Sequence, residues 1–158
     1  MPATYTKASA PGTSKTGVSI VCDTKALSRL AADLRLAAPA AWKGARVALK
    51  AAGQIVADDA KSRASFSSRI PGSIKVRVTS GGNVKVVAGG EQAEDAAPLE
   101  NHGRSGTFRH PVFGGDTWVD QPSRPFLAPA LAAHEGEVAE AIENAVAEAV
   151  ERALDGRL

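Results

Sequence analysis

A chain of 158 residues is long enough for one domain with a buried core, and its single cysteine, Cys22, excludes an internal disulfide. Aromatic residues are only 4% of the chain, so alanine carries much of the 44% hydrophobic share and the core has few large anchors. The net charge of +2 hides a division: residues 1–87 hold 14 Lys and Arg against 4 Asp and Glu, and residues 88–158 hold 5 against 13.

A basic half and an acidic half can draw copies together head to tail, or the basic side can serve nucleic acid. No apolar run approaches the roughly 20 residues that span a bilayer. The N-terminus has no apolar stretch of the secretory type. A soluble, intracellularly made protein without a membrane partner is expected.

In chain order, residues 1–17 are mostly Ala, Ser, Thr, Pro, Gly and Lys, which predicts a flexible N-terminal arm. Residues 18–158 are expected to form one α+β domain. Val18–Cys22 is a short strand candidate, and Asp23 or Thr24 then offers a helix N-cap. Leu27, Leu30, Leu34 and Ala38 keep helical spacing up to Pro39. Trp42, Ala45, Leu49, Ala52, Val56 and Ala60 resume it, predicting a longer helix over about 40–64.

Residues 65–73 read as a loop. Ile74, Val76 and Val78 alternate with Lys75, Arg77 and Thr79, and Val84, Val86 and Ala88 follow after Ser80-Gly81-Gly82-Asn83. This predicts a β-hairpin with one apolar and one basic face. Residues 89–115 read as a long loop with a helical piece near 96–101, and Asp116–Asp120 as a further strand. A long acidic helix is expected from about Leu127 to Leu154. The fold class is therefore α+β: a small antiparallel sheet with a basic hairpin against two or three helices, the last one long.

Chemistry-bearing motifs are weak. Gly12-Thr13-Ser14-Lys15-Thr16 lacks the glycine before the lysine and the preceding strand of a phosphate-binding loop. Asp58 and Asp59 are adjacent on a helix and diverge by about 100°. His102, His110 and His134 lack the spacing of a zinc site. Cys22 in an apolar strand behaves as a small hydrophobe, and no Gly-x-Ser-x-Gly elbow is present. No catalytic, metal or cofactor site is expected, and a small hydrolase finds no support. Lys75, Arg77 and Lys85 are the candidate phosphate contacts, without interleaved aromatics for base stacking.

The most distinctive stretch is Gln121-Pro122-Ser123-Arg124-Pro125-Phe126-Leu127, followed by Pro129-Ala130-Leu131. Its prolines fix φ and keep the residues before them extended, so Ser123 and Arg124 sit on a stiff segment. Pro129 falls in the first turn of the last helix, where a missing N–H costs nothing.

These residues resemble the tail-component (neck or tail-completion) proteins of long-tailed bacteriophages. The resemblance spans roughly residues 18–150. Its sharpest element is the Gln121–Leu131 signature, and Arg69–Ile74 and Ala97–Gly103 are similar to two weaker family segments. The chain departs from the pattern in its long N-terminal arm and in the segment from Arg104 to Gly115.

The resemblance implies a non-enzymatic structural protein of the virion, made in the host cytoplasm. It implies a ring, most often hexameric, that acts as head-to-tail connector, tail terminator or tail-completion protein. Its neighbours would be head-connector or head-closure proteins and tail-tube proteins, with double-stranded DNA passing through the channel. Gln121, Arg124, Pro125 and Phe126 are the expected subunit-interface residues, with Arg124 meeting a neighbour's carboxylate and Phe126 entering a neighbour's pocket. Lys75, Arg77 and Lys85 would face DNA or an adjacent subunit. The rival reading is a sequence-independent nucleic-acid-binding module built on those three cations.

Overall fold

A computed structural model describes residues 3–9, 16–22, 25–101, 104–112 and 115–155. The elements in chain order are β1 (Ala3–Ser9), β2 (Thr16–Cys22), α1 (Lys25–Ala37), α2 (Pro39–Arg63), α3 (Ile70–Ser73) and β3 (Lys75–Val78). They continue with β4 (Val84–Gly89), α4 (Ala96–Glu100), β5 (Thr107–Pro111), β6 (Trp118–Pro122) and α5 (Leu127–Asp155). The architecture is α+β, with a four-stranded antiparallel sheet ordered β1-β2-β4-β3 and a separate β5–β6 ribbon.

The β3–β4 hairpin has the two faces its alternation predicts. Val84, Val86 and Ala88 are buried on one face together with Val18 of β2. Arg77 pairs with Lys85 across the strands, and Lys75 lies two residues away on the same outer face. The turn closes as Thr79 N–H donates to Asn83 O at 2.9 Å, with Gly82 at φ 82°, a conformation that favours glycine.

Helix α2 lies between this apolar face and α5. Gly53 is what allows the approach, because a Cβ there would stand 2.6 Å from Val84 Cγ1 and 2.7 Å from Val76 Cγ1. Helices α2 and α5 run antiparallel. His134 Nε2 of α5 sits 3.5 Å from Asp59 Oδ2 near the end of α2, and Arg152 reaches Gly44 near its start. Trp42 and Ala45 of α2 join Ala31, Leu34 and Ala149 in a second buried cluster under α1. Pro39 occupies the first turn of α2, so α1 ends and α2 begins within two residues.

Three expectations change, the first being the 65–73 loop, whose last four residues form the short helix α3. The composition of residues 1–17 predicts a flexible arm, yet residues 3–9 within it form β1, paired from Ala3↔Cys22 to Ser9↔Thr16. Backbone pairing needs no bulky side chain, and Thr4, Tyr5 and Thr6 suit a strand. Within the expected 89–115 loop, Ala96–Glu100 is helical as read, but Thr107–Pro111 forms β5 against β6. Its Arg, His and Pro hide the strand from an apolar-alternation test. The 12–16 segment and the Asp23/Thr24 cap fall wholly or mainly outside the described residues, as does His102.

Candidate subunit interface

The Gln121–Leu131 segment leaves β6, crosses in front of α4 and becomes α5. It is clamped on both sides. Arg124 N–H donates to Leu99 O at 2.8 Å, and Ser123 N–H donates to Gly106 O at 2.7 Å. The Ser123 hydroxyl donates to Arg104 O at 2.8 Å and lies 3.0 Å from Gly106 O. The proline-rich stretch is thus a strut fastened to its own chain.

Where α5 begins, its free N–H groups meet a carboxylate from 26 residues earlier. Glu100 Oε2 accepts from Phe126 N–H at 2.7 Å and Leu127 N–H at 2.8 Å, and Oε1 accepts from Ala128 N–H at 2.9 Å. Glu100 is fully buried. An anion at a helix N-terminus answers both the unpaired donors and the positive end of the helix dipole. Asn101 then takes a left-handed conformation, φ 43°, which ends α4 and turns the chain away.

Phe126 is also fully buried, packed edge-on against Phe66 with ring centroids 6.5 Å apart. This corrects the expectation that its ring enters a neighbour's pocket: it fills this chain's own core. The reason is the Glu100 cap, which draws Phe126 N–H, and the ring with it, inward. Arg124 stays exposed, its guanidinium 5.3 Å from the Phe66 ring centroid. Gln121 and Pro125 are half-buried.

Gln121, Pro122 and Arg124 line a surface groove of about 410 Å³ with Phe66, Arg69 and Asp95. Arg69 is 3.9 Å from Asp95 Oδ2, while Asp95 Oδ1 is buried without a hydrogen-bond partner. The groove therefore presents the guanidinium groups of Arg69 and Arg124 beside an aromatic wall, with Asp95 against Arg69. Lys75, Arg77 and Lys85 lie together on the sheet's outer face, away from this groove's lining.

Sequence reasoning missed Glu100 as a functional position. It was visible only as part of Ala97–Gly103, because a cap supplied from so far away leaves no local spacing to read. Among the described residues, no group of His, Cys, Asp and Glu is placed to hold a metal ion. No helix there is long and apolar enough to cross a membrane.

Neither the curated proteins nor the solved structures include a match to this chain. Residues 25–103 match a protein-family model described as "Bacteriophage HK97-gp10, putative tail-component". The match spans α1 through α4 and includes the Arg69–Ile74 and Ala97–Gly103 segments, but stops before Gln121–Leu131. Since that is half of the sequence, the chain belongs to the HK97-gp10-like family of bacteriophage tail components.

Proposed function

We propose that this protein is a structural subunit of the phage virion that assembles as a ring at the head–tail junction and joins the filled head to the tail tube. Membership of a tail-component family is the observation that carries the reading. Charge distribution supports the ring. The exposed side of α5 carries Glu135, Glu137, Glu140, Glu143, Glu148 and Glu151, with Arg152 as its one basic residue. The exposed side of α2 carries Lys43, Arg46 and Lys50. Unlike surfaces on one chain favour head-to-tail contact, and such contacts close into rings where the rotation between copies returns to its start.

In this reading the protein assembles and does no chemistry. The clamped strut and the Glu100 cap fix the direction in which α5 leaves the β5–β6 ribbon, so every subunit presents its surfaces at one angle. Arg124 and Gln121 contact a neighbouring subunit at the groove beside Phe66, and Pro125 holds their spacing. Lys75 and Lys85 face the channel and meet DNA phosphates without reading sequence, and Arg77, beside the α2–β3 groove, meets DNA or an adjacent subunit. Six subunits are the proposed number, with head-connector or head-closure and tail-tube proteins above and below.

The test is genetic and structural. A phage lacking this chain should accumulate DNA-filled heads and separate tails, and supplying the protein in trans should join them. Joined, infectious particles made in its absence would overturn the reading.

A further inference from the structure

The β5–β6 ribbon is held at its base, and the described residues near its end are exposed. Phe108 packs against the main core, whereas β5 and β6 otherwise contact chiefly each other. Near the end, Trp118 is 53% exposed, and Val112 and Val119 are 39% and 37% exposed. An isolated two-stranded ribbon is marginal in water, and an exposed tryptophan is the residue type most enriched at the energetic centre of interfaces. Asp116 and Asp120 are exposed on the same stretch.

A receptor of matching chemistry exists elsewhere on the molecule. Between α2 and β3 runs a groove of about 590 Å³ with Trp42, Val47, Val76 and Val78 in its walls. Val47 is 68% exposed. Lys43, Arg46 and Lys50 rim it, Arg77 closes one side, and among the described residues no carboxylate lines it. Apolar surface flanked by Asp116 on the ribbon, where Asp120 lies opposite Arg109, thus has its complement in apolar surface flanked by cations on the groove. Both lie on one chain, which makes the contact unlike-to-unlike and repeatable from copy to copy.

We infer that the ribbon end of one copy seats in the α2–β3 groove of the next. Trp118 enters among Val47, Val76 and Trp42, and Asp116 and Asp120 meet Lys43, Arg46 and Lys50. This inference rests on the ring reading above and adds a second contact between copies to the one proposed at the Arg124 groove.

Mixed disulfide trapping tests it, since Cys22 is the only native cysteine. In a Cys22→Ser background, protein carrying Thr117→Cys, which keeps Trp118, is mixed with protein carrying Val47→Cys and oxidised. A covalent dimer should form in the mixture and in neither protein alone. In sedimentation experiments Trp118→Ala should weaken self-association at least tenfold. Lys43→Glu with Lys50→Glu should also weaken it, and mixing with Asp116→Lys/Asp120→Lys protein should restore it.

Native oligomers that form without the mixed cross-link and ignore Trp118→Ala would overturn the docking while leaving the ring intact. A groove cross-linked in particles to a different tail protein would overturn it equally. A wild-type chain that is monomeric in solution and in particles would remove both readings.

Discussion

The Glu100 carboxylate accepts the Leu127 N–H at 2.8 Å and so ties the end of α4 to the first turn of α5. Two segments far apart in sequence are thereby set at one angle by a buried charge. The long acidic helix takes its direction from this contact, and with it the surface a neighbouring copy would meet.

Glu100→Ala should leave the buried N–H groups of Phe126 and Leu127, and the partly buried one of Ala128, without their acceptor. At about 1 kcal/mol or more for each unsatisfied donor, a loss of roughly 3 kcal/mol is expected. Glu100→Gln keeps one carbonyl oxygen and should cost about half as much. Urea denaturation of the two variants checks the order, and equal stability would show that the cap contributes little.

Phe126 and Arg124, adjacent but for Pro125, should separate by readout. Phe126→Ala empties a fully buried site and should cost about 3–5 kcal/mol in thermal or urea unfolding. Arg124→Ala loses an exposed cation–π contact of about 0.5–1 kcal/mol, yet should weaken self-association measured by sedimentation. A stable, fully assembling Arg124→Ala protein would remove Arg124 from the interface.

Gly53→Ala tests the approach of α2 to the sheet. Alanine gains about 1 kcal/mol of helix propensity in an exposed helix. Here the new methyl would meet two valine methyls at 2.6 and 2.7 Å. Those side chains are β-branched and yield little, so a net loss of about 1–2 kcal/mol is expected by denaturant titration. A stabilised variant would mean that the strands give way easily.

Asp58 provides a pH test. The Lys61 ammonium and the Gln54 amide both donate to its carboxylate and hold its pKa below the usual aspartate value of 3.8. A lowered folded-state pKa gives stability that is present above 3.8 and lost as pH falls through the folded value. The stability difference between wild type and Asp58→Asn should therefore be small at neutral pH and shrink further in acid. Thermal melts across that range check the sign.

Much of the fold is legible in the residues themselves. Apolar spacing at three and four residues marks α2 and α5, and the alternation from Ile74 to Ala88 marks the β3–β4 hairpin, because each buries one continuous face. Strands β1 and β5 escape that reading, since neither carries alternating aliphatic residues: β1 has Tyr5 among Ala, Thr, Lys and Ser, and β5 has Phe108 as its one large apolar residue. The candidate site divides in the same way. Gln121 and Arg124 stand out because proline stiffening is a local property. The burial of Phe126 and the role of Glu100 arise from a contact between distant segments, which no local pattern announces.

The most direct measurement is an electron cryomicroscopy map of the intact particle, with this fold placed and its symmetry counted. The expected result is a closed ring of this chain between head connector and tail tube, six copies around a DNA-filled channel. A map that places the chain along the tail shaft or at its distal tip, or that shows no ring of it at the junction, would contradict the assignment.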